Sequence, residues 1–178
     1  MALLVVDVQR AAVERGPYER DVVLENIGAL ISASRASGVE VIHVQHDGEP
    51  GDPDEPGLPG WQIHASVLPH LGEKVVRKRT NSAFRGTDLR TYLEERGVGT
   101  LILTGIQTEY CVDTTCRVAY EFGFDILMPE LTNTTFDNGE VSAGQIYELY
   151  NRRIFDRRFA TVTSMDEVLD VIRSQADG

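Results

Sequence analysis

Three side chains of different reactivity stand where short apolar runs of this sequence end. Asp7 closes Ala2–Val6, Lys78 closes the run Lys74–Arg77, and Cys111 follows Thr100–Ile106 by a short turn. A thiol attacks as the thiolate, and a free thiol with a pKa of about 8.5 is mostly protonated at neutral pH. A carboxylate can take that proton, and an ammonium can stabilise the anions that result. Asp, Lys and Cys together therefore suffice for attack on a carbonyl carbon. Taken singly, each has a plainer reading. An Asp after a strand forms turns, a Lys between Arg77 and Arg79 is a solvated charge, and a Cys in an apolar helix is a small core residue. Position separates the two cysteines. Cys111 opens a helix, where partial positive charge and free N–H groups favour a thiolate, whereas Cys116 lies farther into the helix and reads as packing. In the turn Thr104-Gly105-Ile106-Gln107-Thr108-Glu109-Tyr110-Cys111, Gly105 permits a close backbone turn. The amides after it can face a crevice as an oxyanion hole.

These groups converge only if their strands are neighbours. Ala2–Val6, Val39–Val44, Lys74–Arg77, Thr100–Ile106, Phe124–Met128 and Phe159–Thr163 read as strands. Between them, helices are predicted over Arg20–Ser37 (Val23, Ile27, Leu30 and Ile31 at helical spacing), Thr87–Arg96, Asp113–Phe122 and Gly139–Arg153. A last helix starts at Ser164, with Glu167 completing a capping box. Six strands alternating with helices imply an α/β fold, a three-layer α/β/α sandwich around a mostly parallel six-stranded sheet. In such sheets ligands bind at the carboxyl ends of the strands, where the three reactive residues stand. The segment Asp47–Gly60 breaks the alternation with four glycines, four prolines and five acids. It is either a solvated excursion or a flap over the site, and Trp61 and His64 follow it directly.

Composition narrows the partners. The chain has 178 residues, 42% hydrophobic and 25% charged, which fits one globular domain over residues 1–178. Its formal net charge of −11 argues against nucleic acid and against an anionic membrane surface, both of which require positive charge. The apolar opening Met1–Val6 has no basic region and stops at Asp7, so neither a leader nor a membrane span is expected, and a cytoplasmic location is. Two cysteines are too few for a disulfide framework.

The segments LLVVDVQ (3–9), VVRKRTNSAFRGTDL (75–89) and TGIQTEYCVDTT (104–115) resemble, in order, the signatures of the isochorismatase-like cysteine hydrolase superfamily. That superfamily includes nicotinamidases and N-carbamoyl-amino-acid amidohydrolases. The resemblance runs from Leu3 to about Thr163 and implies a Rossmann-like parallel fold. It also implies Cys111 as nucleophile, Asp7 as general base and Lys78 as the third member of a triad. A cis peptide between Ile106 and Gln107 is implied, with the backbone amides of Gln107 and Cys111 as the oxyanion hole. The implied activity is hydrolysis of a C–N bond in a small amide or N-carbamoyl substrate through a thioester, by a homo-oligomer that needs no cofactor.

Nicotinamidases carry a metal-binding Asp-x-His after the second strand. Here His46 and Gly48 stand at those places, so no metal is expected, although His43, His46, Asp47 and His64 make a ligand set on paper. True isochorismatases lack the cysteine nucleophile. The alternatives are an ether hydrolase without a covalent intermediate and a non-catalytic binding protein on the same fold. Trp61, His64, Phe84 and Tyr110 are the candidate walls of a substrate pocket. Trp61 serves equally as packing, and Tyr110 can face either the pocket or a neighbouring subunit.

Overall fold

A computed structural model describes residues 1–175 of the chain. Its strands are β1 (Ala2–Val6), β2 (Glu40–His46), β3 (Lys74–Lys78), β4 (Thr100–Ile106), β5 (Asp125–Pro129), β6 (Asn133–Thr134) and β7 (Thr161–Thr163). Six of them form one sheet in the order β3-β2-β1-β4-β5-β7, with every pairing parallel. The seventh, β6, pairs with the end of β4. The six-stranded expectation missed it because two polar residues carry no strand signal of their own.

The helices are α1 (Arg10–Glu14), α2 (Arg20–Ala36), α3 (Leu89–Glu95), α4 (Asp113–Glu121), α5 (Ala143–Leu149) and α6 (Met165–Ser174). All five residues of β1 are buried, because side chains alternate between the two faces of a strand and both faces are covered. Leu4 and Val6 join Leu89 and Leu93 of α3 and Cys116 and Ala119 of α4. Leu3 and Val5 join Val23, Ile27 and Leu30 of α2 and Val168 and Ile172 of α6. A strand between two helical layers has no polar face, which is why its sequence is apolar throughout. Each such Leu or Val stabilises the fold by roughly 1.5–3 kcal/mol relative to exposure.

Local signals set the helix ends. Ser164 accepts a hydrogen bond from the Glu167 amide while the Glu167 carboxylate accepts from the Ser164 amide, closing the expected capping box. Ser142 and Gln145 make a second one, so the helix expected from Gly139 begins at Ala143. It passes into a π-helical turn over Tyr150–Phe155. The last strand is shorter than Phe159–Thr163, with a single bridge between Asp156 and Ala160 ahead of it.

The segment after β2 is ordered by its own turns. The Asp52, Glu55 and Leu58 amides donate in succession to the carbonyls of Glu49, Asp52 and Glu55. Beyond it, the His64 amide donates to Val8 O at 2.9 Å and the Arg10 amide to Gln62 O at 2.9 Å, which ties the segment to the chain leaving β1.

Candidate active site

Strand register assembles the site. Val6 pairs with Val44 on one side and with Gly105 on the other, and His46 pairs with Lys78. The carboxyl ends of four adjacent strands, β3, β2, β1 and β4, therefore open onto one crevice. Alternation selects what faces it. On β3 Val76 and Lys78 are buried whereas Val75 and Arg77 are exposed. Gly105 is fixed by the approach of β4 to β1: a Cβ there would lie 2.0 Å from the Val6 carbonyl oxygen, and its φ is +131°. No L side chain fits that position. Asp7 leaves β1 with φ +52°, a left-handed conformation that Asp tolerates better than most residues. Its amide still donates to Val44 O at 2.9 Å.

Lys78 lies between the other two reactive groups. Its Nζ is 2.5 Å from Asp7 Oδ2 and 3.3 Å from Cys111 Sγ. It also donates to Thr80 O at 3.0 Å and stands 3.4 Å from His46 Nδ1. Lys78 is 2% exposed and Asp7 7%, so this ion pair is buried and its ammonium is well supplied with acceptors, as a buried charge must be. Asp7 Oδ1 is buried without a hydrogen-bond partner, an oxygen free to take a proton. The ammonium can only donate, so Nδ1 is the acceptor wherever this contact forms a hydrogen bond.

Burial raises the Asp7 carboxyl above the ordinary carboxylate range, and the Lys78 charge pulls it back only in part. It is thereby a stronger base than a free carboxylate. The Cys111 thiol is pushed up to about 12, first by burial and then by the Asp7 charge, against the opposing Lys78 ammonium. Cys111 lies in a π-helical turn, Thr108–Val112, that runs into α4, and the expected helix-start stabilisation of a thiolate is opposed by burial beside a carboxylate. The resting thiol is neutral, and its proton has to be removed during attack.

The Ile106–Gln107 peptide bond is cis. The turn after it is held from below by a buried polar chain absent from the sequence reading. Thr108 Oγ1 donates to Asn133 Oδ1 at 2.8 Å, and Asn133 Nδ2 donates to Asn151 Oδ1 at 2.8 Å. Asn151 Nδ2 in turn donates to Asn133 Oδ1 and to Tyr147 O. All three side chains are at most 1% exposed. Four polar residues clustered in Asn133–Thr135 and Asn151 were the available signal, but only contacts distant in sequence give it meaning.

A cavity of about 240 Å³ opens above the thiol, with Asp7, Gln9, His46, Asn81, Gln107 and Tyr110 in its wall. Asp54 of the turn-rich segment lines it too, while most of that segment is exposed to solvent. Of the four candidate wall residues, only Tyr110 is there. Trp61 is turned away: its Nε1 donates to Asp47 Oδ1 at 2.9 Å, and the Arg77 guanidinium covers its ring at 4.9 Å. His64 caps a short turn, with Nδ1 2.8 Å from Ser66 Oγ. Phe84 packs in the core against Phe122 and Phe124. Each fails for the same reason, because a stronger local partner claims the side chain. Cys116 is fully buried among core residues, as packing requires, and both cysteines are free. Among the described residues no helix is long and apolar enough to cross a membrane.

This geometry can be set beside known proteins. A streptothricin hydrolase of Streptomyces noursei is 41% identical over 76% of this chain and 50% of its own length. The ureidoacrylate amidohydrolase RutB of Variovorax paradoxus is 29% identical over 98% of this chain and 81% of its own. The chain spans about half the length of the streptothricin hydrolases it matches. The crystal structure of a cysteine hydrolase from Pseudomonas syringae pv. phaseolicola superposes with a TM-score of 0.90 at 26% identity, covering 98% of this chain and 92% of that one. The family model of the isochorismatase domain matches residues 1–167, nearly everything from the first strand to the last helix, and the chain belongs to the isochorismatase family.

Proposed function

We propose that this chain is a cysteine-dependent amidase that cleaves a C–N bond of a small amide or N-carbamoyl compound through a thioester. The single observation that carries the reading is Lys78 placed between a buried carboxylate and the only thiol that reaches the cavity. Asp7 takes the Cys111 proton as the sulfur bonds to the carbonyl carbon, and the carbonyl electrons move to oxygen. The amides of Gln107 and Cys111 stabilise that oxyanion. As the oxyanion collapses the C–N bond breaks, and Asp7 returns its proton to the departing nitrogen. A water then gives a proton to Asp7 and adds to the thioester. The C–S bond breaks, the acid leaves, and the thiol regains its proton. Lys78 remains charged throughout and holds both anionic partners in place.

The names of the relatives support hydrolysis, and one of them is an amidohydrolase. A thiol at the cavity with a buried carboxylate able to take its proton favours C–N cleavage over ether hydrolysis, which needs no sulfur. The experiment is a panel of small amides and N-carbamoyl compounds assayed for amine or ammonia release, with Cys111→Ala and Cys111→Ser beside the wild type. Turnover of at least one amide that disappears in both variants is expected. A Cys111→Ala protein with wild-type turnover would overturn the reading.

A further inference from the structure

Asp54 is the acid of the Asp47–Gly60 segment that reaches the cavity. The neighbouring acids are used structurally. Asp47 holds Arg77 and the Trp61 ring nitrogen, Asp52 accepts from the Glu49 amide, and Glu55 accepts from the Gly51 amide. The half-buried Asp54 carboxylate has no such partner among the described residues, while its backbone is tied to Gly48. The Gly48 amide donates to Asp54 O at 3.0 Å, and a Cβ at Gly48 would lie only 2.4 Å from Asp54 Oδ1. A glycine is what leaves room for this carboxylate. Elsewhere in the wall the charge of Asp7 is balanced by Lys78, and the thiol is neutral. Among the described residues of the wall, Asp54 is therefore the carboxylate without a cationic partner.

We propose that Asp54 makes this pocket selective for amides that carry a positively charged group, an ammonium, amidinium or guanidinium, beside the scissile carbonyl. The inference deepens the amidase reading and rests on it for the word substrate. The recognition itself is a charge-assisted hydrogen bond in a partly enclosed cavity. The cation takes the place of the protein partner that Asp54 lacks, and a substrate carboxylate at the same position is repelled. The global charge of −11 adds a favourable long-range field for such a molecule, but salt screens that field far more than it screens the local, half-buried pair.

Two measurements test this, and they fail separately. The first compares kcat/KM for three amides matched in size, ending in an ammonium, a neutral hydroxyl or a carboxylate. Wild type is expected to prefer the ammonium by about 10- to 100-fold. Asp54→Asn should lose most of that preference through KM, and Asp54→Lys should reverse it toward the carboxylate. Glu49→Gln, which removes one charge from the same segment away from the cavity, should keep the wild-type order. The second needs no turnover. Cys111 is modified with methanethiosulfonates bearing an ammonium or a sulfonate, each forming a mixed disulfide and releasing methanesulfinate, and the rates are followed by intact mass. The ammonium-to-sulfonate rate ratio should fall about tenfold or more in Asp54→Asn and stay unchanged in Glu49→Gln. If no amide is turned over but the ratio falls, the amidase reading fails and the cation site stands. An unchanged ratio, or the same substrate order in wild type and Asp54→Asn, overturns the proposal.

Discussion

The Lys78 ammonium stands 2.5 Å from the Asp7 carboxylate, and both are buried at the ends of strands that do not touch one another. β2 lies between them, so the pair spans a full strand and locks the crevice from both sides. Lys78→Met should remove that lock. Cutting one partner out of a buried pair costs about 3–5 kcal/mol, and the lower end is expected because Asp7, already raised in pKa, can take a proton instead. Urea unfolding gives the stability loss, and turnover of any amide substrate should fall by at least about 100-fold.

Asp7→Asn keeps the size of the side chain and removes only the base. Lys78 retains Thr80 O and His46 Nδ1 as acceptors, so the loss of stability should be smaller than for Lys78→Met. Activity should fall at least as far, by about 10²–10⁴-fold. A variant with nearly wild-type kcat would mean that another group takes the proton.

The pH profile follows from the two shifted groups. Asp7 is a base only when ionised, and its carboxyl titrates above the usual range. Thus kcat/KM should decline as pH falls through that raised value, sooner than for an ordinary carboxylate near about 3.9. The thiol, at about 12, gives no alkaline limb in the working range. An acid limb at the ordinary carboxylate value, or a rate that climbs with a thiol pKa near about 8.5, contradicts this assignment.

Away from the site, Glu73 gives acid its hold on stability. The Arg35 hydrogen bonds at 2.8 Å, helped by the His70 amide, lower its carboxyl to about 2 against the opposing effect of burial. A carboxyl lowered in the folded state stabilises the fold when ionised. Its contribution, about 1–2 kcal/mol for a partly shielded bidentate pair, is complete above the unfolded value of about 4.5 and is lost as pH falls from there toward 2. Glu73→Gln should flatten the decline of Tm over that interval and lower Tm at neutral pH.

Asn133→Ala should report on the support beneath the catalytic turn. It orphans Thr108 Oγ1 and part of the Asn151 amide in a fully buried setting, at a cost of about 1–3 kcal/mol. Thr108 adjoins Gln107, so kcat should fall more than KM rises. A loss of stability with an unaltered kcat would make the network purely structural.

The sequence showed the fold clearly where local rules are strong. Continuous apolar strands, the Ser164 cap and the helical spacing of Val23, Ile27, Leu30 and Ile31 each report a one-dimensional pattern. Strand-end position was equally legible, which is why Asp7, Lys78 and Cys111 could be singled out before any contact was seen. Competition among distant partners was not legible. Trp61 looked like a pocket wall until Asp47 and Arg77 claimed it, and Phe84 until Phe122 and Phe124 did. Asp54 was one acid among five until the turns placed it at the cavity. The helix start points to a thiolate, whereas burial and the carboxylate at the end of the neighbouring strand raise the thiol.

Covalent catalysis by Cys111 is open to intact-protein mass spectrometry during turnover. With an amide or a slowly hydrolysed ester of the same acid, the wild type should gain the mass of one acyl group, located by peptide mapping at Cys111. The adduct should be cleaved by hydroxylamine and be absent from Cys111→Ala. Product release at the wild-type rate from a protein that never carries the acyl group, or an adduct on any other residue, would contradict the account.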